Sequence, residues 1–429
     1  MHIRWLNPGR VLALGFASVI LLGTILLLLP ISANPGVTIR PVDALFTSTS
    51  AVCVTGLIAI DTADHFSVFG RTVVAFLIQI GGLGITSIGV AIILLARKKV
   101  GLKERVLVRE ALNLHTLQGI VRLVKSIMLV TLCFEFVGMI LSYAVFSQDY
   151  SPLPALGISA FHSVAAFNNS GFDILGGYRN LIPYRDNVLL NLTTCGLIIF
   201  GGLGFYVIRE ILHKRSWRNL SMNTKIVLTM TVSLLVIGTV LLKLTDDVTW
   251  LGAFFQSTSA RTAGFSTYSI GEFTAAGQFV LIILMFIGAS PGSTGGGIKT
   301  TTAFTIIKSI FAFSTNRDCT AFRRKIHHES ILKAFTVTIL AAVVVCFITL
   351  VICIIEPQLT FMQVLFEVVS GFGTVGLSTG ITPHLADMSK ILLCLTMFIG
   401  RVGPLTMASI WVYKAPSNLS YAEERVTIG

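Results

Sequence analysis

DALFTSTSAVCVTGL, residues 43–57, returns three more times along this chain in altered form. The other copies are GISAFHSVAAFNNSGF (157–172), LGAFFQSTSARTAGF (251–265) and VLFEVVSGFGTVGL (364–377). Aligned on Gly56, Gly171, Gly264 and Gly376, each has a phenylalanine ten residues earlier: Phe46, Phe161, Phe254 and Phe366. Leu57, Phe172, Phe265 or Leu377 follows the glycine. A second mark comes later in each copy: IGGLG (80–84), FGGLG (200–204), FIGASPG (286–292) and FIGRVGP (398–404). Its first glycine falls 24 to 30 residues after the loop glycine. As unrelated loops these segments would share one glycine by accident; matched offsets with matched phenylalanines mean a fourfold internal repeat.

Between the copies the chain is strongly apolar. Of 429 residues, 54% are hydrophobic and 12% charged, about half the charged share of an ordinary soluble domain. That is too little charge to cover a water-soluble surface, so the lipid bilayer is the solvent. Stretches of the ~20 residues a membrane helix needs lie near 11–30, 72–96, 126–147, 187–208, 226–242, 273–298, 331–355 and 391–413. The first has no small-residue cleavage site and is longer than a signal-peptide core, so it reads as a retained span. With both termini in the cytoplasm, the inner segments are 97–125, 209–225 and 308–333. That side then holds 23 of the 32 lysines and arginines, as the positive-inside rule requires. The net charge of +12 is thus topology rather than a nucleic-acid surface. The seven cysteines form no CxxC pair, which argues against a disulfide framework or a zinc site.

The repeated segments are about ten apolar or small residues long, roughly 15 Å as helix, half the hydrocarbon thickness. They read as re-entrant half-helices, whose irregular ends are tolerated only against protein or water. The expected fold is therefore all-α: eight spans and four half-helices in span–pore-helix–span repeats around one pore. The repeat boundaries fall at 1–100, 101–215, 216–325 and 326–429. A ring of backbone carbonyls can replace a cation's hydration shell, and the partially negative C-terminal ends of four half-helices favour a cation. The candidate filter comprises Val54, Thr55 and Gly56; Asn169, Ser170 and Gly171; Thr262, Ala263 and Gly264; and Thr374, Val375 and Gly376. Arg261 is expected to brace this filter from behind.

The sixth span, LIILMFIGASPGSTGGGIKTTTAF, cannot stay helical across its proline and glycines. It is the one interrupted span expected among eight. GSTGGGIKT fails the GxxxxGK phosphate-loop pattern by one residue, with Ile298 before Lys299, and no strand precedes it. Arg401 in FIGRVGP is a charge at membrane depth and so a functional candidate. Glu135 is also mid-span, with a basic residue or the backbone as possible partner, and is placed outside the pore. His162 reads as a packed residue. His327 and His328 lack metal-ligand spacing, so no transition-metal site is expected. No catalytic constellation is present, which excludes an enzyme.

The loops, their spacing and the broken sixth span resemble the Trk/Ktr/HKT superfamily of cation uptake proteins. Within it they resemble the membrane subunits of bacterial Ktr systems, the KtrB and KtrD type. The resemblance covers nearly the whole chain. It implies K+ as the transported ion, since glycine stands at all four filter positions, and a plasma-membrane location in a bacterium. It also implies a homodimer with one pore per subunit and a cytosolic regulatory ring, KtrA- or KtrC-like, docking on the basic inner segments. ATP or ADP would bind that ring rather than this chain, which needs no covalently bound cofactor. Sodium stimulation is common in such systems, but these residues do not encode it. The same resemblance makes 288–297 an intramembrane gating loop, with Gly288, Ser290, Gly292, Ser293, Thr294, Gly295, Gly296, Gly297 and Lys299 as its residues and Arg401 as its contact. The rival is a coupled Na+ or H+ symporter. Against it, the copies share one orientation and a single span is expected to be broken, whereas symporters pair interruptions between inverted halves.

Overall fold

The computed structural model describes residues 8–96, 99–111 and 118–411. Arg4, Arg97, Lys98, residues 112–117 and the tail from residue 412 lie outside the described residues. The described chain is an all-α fold, apart from a two-stranded hairpin, β1 (Thr320–Ala321) and β2 (Arg324–Lys325). Phe322 and Arg323 at its tip are both left-handed, as a two-residue hairpin of the favoured twist demands.

The first quarter runs α1 (Pro8–Leu28), α2 (Pro41–Cys53), α3 (Thr62–His65), α4 (Val68–Leu83), α5 (Ile85–Leu95) and α6 (Leu102–Ala111). The second is α7 (Ile120–Phe146), α8 (Pro152–Phe167), α9 (Val188–Leu203) and α10 (Phe205–Lys214). Next come α11 (Met222–Thr245), α12 (Trp250–Ser259), α13 (Ala275–Phe286) and α14 (Thr300–Ser314). The last is α15 (His328–Ile355), α16 (Phe361–Gly373), α17 (Asp387–Val402) and α18 (Pro404–Trp411). Proline opens α2 and α8, where a missing N–H costs nothing. Thr249 and Thr360 cap α12 and α16 by accepting N–H bonds.

Helices α1, α7, α11 and α15 are each long and apolar enough to cross a membrane. The even-numbered spans overturn the expectation of a single interruption, because all four are broken. The α4–α5 pair bends by 99° and the α9–α10 pair by 95°; α13 and α14 are separated by 287–299, and α17 and α18 by Gly403. The reason is backbone geometry. Gly84, Gly204 and Gly403 sit at φ +81°, +93° and +97°, outside any right-handed helix. The second repeated mark in the sequence is therefore a break point in every copy.

Small residues set the packing. A Cβ on Gly23, Gly138 or Gly238 would lie under 3.0 Å from the hydroxyl of Ser48, Ser163 or Ser257. These hydroxyls donate to the carbonyls of Ile20 (2.7 Å), Glu135 (2.5 Å) and Leu235 (3.1 Å). In the first three quarters the short helix is thereby docked on the long one. Contacts between α4 and α8, α9 and α12, α13 and α16, and α17 and α2 join successive quarters and return to the first. Phe46, Phe161 and Phe366 are buried as the repeat implies, but in the third copy Phe255 rather than Phe254 is fully enclosed. The alignment there slips by one residue within α12.

Candidate functional site

The C-terminal ends of α2, α8, α12 and α16 converge. In each, the chain leaves the helix through a left-handed residue two before the glycine: Val54 (φ 57°), Asn169 (58°), Thr262 (79°) and Thr374 (50°). Such a conformation costs a non-glycine residue ~1–3 kcal/mol and clusters at functional sites. Gly56, Gly171, Gly264 and Gly376 follow at φ +93°, +69°, +77° and +93°, where glycine alone is unstrained. A Cβ on Gly56 would lie under 3.0 Å from the carbonyl oxygen of Ser170. The same holds for Gly171 against Ala263, Gly264 against Val375, and Gly376 against Thr55. These contacts close a ring of backbone, each glycine against the carbonyl that precedes the next.

The ring is held from behind. The Gly56 and Gly376 amides each donate to a serine hydroxyl six residues earlier, Ser50 and Ser370, both at 3.0 Å. Gly264 N–H donates to the Ser259 carbonyl at 3.4 Å. Amides tied to the helices leave carbonyls as the polar groups between the loops. Val54, Thr55, Asn169, Ser170, Thr262, Ala263, Thr374 and Val375 are fully buried.

Against the ring lies the segment 288–297. Cβ atoms on Gly295 and Gly296 would collide with the hydroxyls of Thr262 and Thr374, so glycine is required for this approach. Gly296 N–H donates to Thr374 Oγ1 (2.9 Å) and Thr294 Oγ1 to the Phe167 carbonyl (3.4 Å). Ser290 and Thr294 amides donate to Gly202 and Gly201 carbonyls, and Phe205 N–H to Gly292. Within the segment, Ser293 Oγ donates to the Ser290 carbonyl (2.6 Å), and Lys299 Nζ to those of Gly295 (2.8 Å) and Gly296 (3.3 Å). Gly288 and Gly297 pack against each other at the neck, where Ile287 and Ile298 form a bridge. A cavity of about 730 Å³ adjoins the segment, lined in part by Ser293, Thr302, Lys333 and Arg401.

Arg401 reaches this segment from α17. Its guanidinium donates to the carbonyls of Thr294 and Gly81, and to Gly82 at 3.4 Å. The structure thus brings together the filter candidates, the loop candidates and Arg401. Arg261 turns away from the ring toward Thr231 on α11. His162 meets Thr194 Oγ1 at 2.9 Å between the rings of Phe146 and Phe265. Glu135 pairs with neither a basic residue nor a backbone amide: it accepts from Asn168 and Gln79 side chains. Sequence reasoning passed over Ser50, Ser370 and the buried pair of Lys390 with Asp43 (3.1 Å), which Arg40 joins at 2.7 Å. Lone serines and one lysine at the head of an apolar run gave no spacing signal; only the recurrence of Ser50 and Ser370 at one offset could have shown them.

The match to known proteins accords with this geometry. Residues 15–422 fit the model of the TrkH family, described as cation transport protein. The chain belongs to this family. It is a transport protein and not an enzyme. Over its full length it is 38% identical to Ktr system potassium uptake protein B of Bacillus subtilis, covering 98% of that protein. It is 35% identical to the potassium/sodium uptake protein NtpJ of Enterococcus hirae, with 99% of this chain and 98% of that one aligned. Its fold matches the crystal structure of the potassium transporter TrkH from Vibrio parahaemolyticus with a TM-score of 0.73 at 20% identity, over 96% of this chain and 86% of that one.

Proposed function

We propose that this chain is the potassium-translocating membrane subunit of a Ktr-type uptake system. The observation that carries the reading is the closed ring of Gly56, Gly171, Gly264 and Gly376 against the carbonyls of Ser170, Ala263, Val375 and Thr55. Four helix C-termini make its surroundings negative, and carbonyl oxygens can replace the water shell of K+. The four span–pore-helix–span repeats surround this one pore, with both termini in the cytoplasm by the positive-inside rule. The segment 288–297 obstructs the inner half of the pore, and Arg401 holds it there while adding positive charge beside the path. Release would come from a cytosolic nucleotide-binding ring docked on 97–125, 209–225 and 308–333 of a homodimer. Ktr-named relatives support the partner and the ion.

Two observations favour a coupled symporter as the second reading: all four even-numbered spans are broken, and one relative is named for potassium and sodium together. Reversal potentials in liposomes of the purified chain separate the two. A pore reverses at the potassium equilibrium potential, whereas stoichiometric coupling displaces it. Absence of K+ flux altogether would sink both readings.

A further inference from the structure

Glu135 stands where the first and third quarters carry hydrocarbon, Ile20 and Leu235. In these three quarters the bond that docks the short helix on the long one identifies the counterparts: Ser163 donates to the Glu135 carbonyl as Ser48 does to Ile20 and Ser257 to Leu235. The Glu135 side chain, 8% exposed, accepts from Asn168 Nδ2 at 3.1 Å on one oxygen and from Gln79 Nε2 at 3.3 Å on the other. Asn168 Nδ2 also faces Gln79 Oε1 at 2.7 Å and the Val164 carbonyl at 2.9 Å, so the three side chains close a small cycle between α7, the C-cap of α8 and α4.

Two features make this cycle more than a buried polar cluster. Asn168 immediately precedes Asn169, the left-handed residue from which the second loop leaves its helix. Counted from the ring glycine, its counterparts are Cys53, Arg261 and Gly373, none of which carries a carboxamide. On its other side Asn168 packs against Gly82, where a Cβ would lie under 3.0 Å from Asn168 Oδ1. Gly81 and Gly82 are the residues whose carbonyls Arg401 holds. The cycle therefore touches the root of one filter loop and the peptide groups that anchor the loop-holding arginine.

We propose that Glu135 is a positioning residue for ion selection: through Asn168 it fixes the second filter loop, making this quarter of the ring differ from the other three. It acts by accepting hydrogen bonds rather than by facing the ion. Without Glu135 the Gln79 amide loses its acceptor and Asn168 keeps only Gln79 Oε1 and the Val164 carbonyl of its own helix, so the cycle that holds Asn168 at the base of the loop opens. The inference rests on the filter reading above, and the test separates the two.

The K+/Na+ permeability ratio is measured in liposomes for the full chain and four variants. Glu135→Leu installs the residue that Leu235 already is at the matching place, and is expected to lower the ratio about ten-fold, the scale of one displaced buried hydrogen bond. Glu135→Gln keeps an oxygen for Asn168 and offers an amide to Gln79, and should restore the ratio to within about two-fold. Gln79→Leu, on a different helix, should reproduce the loss and serves if Glu135→Leu fails to insert. Gly56→Ser is the control for the ring. A wild-type ratio in Glu135→Leu or Gln79→Leu overturns the assignment when Gly56→Ser lowers it. Failure of Glu135→Gln to rescue overturns the hydrogen-bonding role. A ratio unchanged in all four variants overturns the filter reading, and this assignment with it.

Discussion

Arg401 donates a hydrogen bond to the carbonyl of Thr294 across 107 positions of chain. The same guanidinium holds Gly81 of the first quarter, so one side chain joins three quarters at the irregular segment 288–297. Replacing it with alanine frees three peptide carbonyls and removes a positive charge from beside the proposed path. Initial K+ uptake into liposomes by Arg401→Ala is expected to rise about ten-fold, the equivalent of one charge-assisted hydrogen bond in the barrier. Wild-type uptake by a well-inserted variant would count against the gate.

At the ring, the damage is done by the first added carbon. A Cβ on Gly376 meets the Thr55 carbonyl, and one on Gly56 meets that of Ser170, with both glycines at φ +93°. Gly376→Ala should therefore reduce K+ over Na+ selectivity as much as Gly376→Ser does. An alanine variant that stays selective while the serine variant does not would show that the hydroxyl, not the ring's geometry, matters.

The glycines of the second mark lie against the ends of the short helices. Cβ atoms on Gly81, Gly201 and Gly400 would collide with the carbonyls of Val52, Phe167 and Phe372. Gly81→Ala and Gly400→Ala should each cost ~2 kcal/mol, as overpacking does, read as a lower thermal midpoint in detergent. Gly89, with nothing within 4 Å of its Cβ position, should accept alanine with a gain of up to about 1 kcal/mol in helix propensity. Equal midpoints for Gly81→Ala and Gly89→Ala would refute the close approach.

Glu356 at the end of α15 fastens the start of α17. Burial alone would raise its pKa, but bonds from Ala386 N–H (2.7 Å), Ser389 Oγ (2.9 Å) and Gln358 Nε2 (2.7 Å) prevail and hold it below the ordinary 4.5. A carboxyl depressed on folding stabilises the fold above its unfolded value, and that contribution disappears as pH falls through the folded value. Unfolding of the wild type should exceed that of Glu356→Gln in midpoint at pH 7, with the gap narrowing below about pH 4. A gap constant to pH 3 would exclude the carboxylate as its source.

The ring was legible because it repeats: four glycines at one offset outweigh what any single VTGL can say. The break points were less so. Gly84, Gly204 and Gly403 close the short clusters IGGLG, FGGLG and FIGRVG, and glycines scattered in an apolar run read as tolerated helical residues; only PGSTGGG announced itself. The left-handed Val54, Thr262 and Thr374 run against the preferences of β-branched side chains, so local propensity points the wrong way at the proposed filter. Glu135 was visible as an anomaly, but its partners are 56 and 33 positions distant, beyond any helical spacing rule. The same distance hid the pairing of Asp43 with Lys390.

That last pair also sets an order of assembly. Asp43 and Lys390 are 347 positions apart, and α17 packs on α2 only when the final quarter is present. Translation delivers the first quarter while its future neighbour does not yet exist, leaving a polar, strained loop exposed along an open seam. Contacts so remote in sequence form late, and the seam shuts with the last helices to leave the ribosome. A chain cut short before residue 387 is thus an open arc rather than a smaller ring, and premature termination should yield a protein that quality control removes instead of a leaky pore.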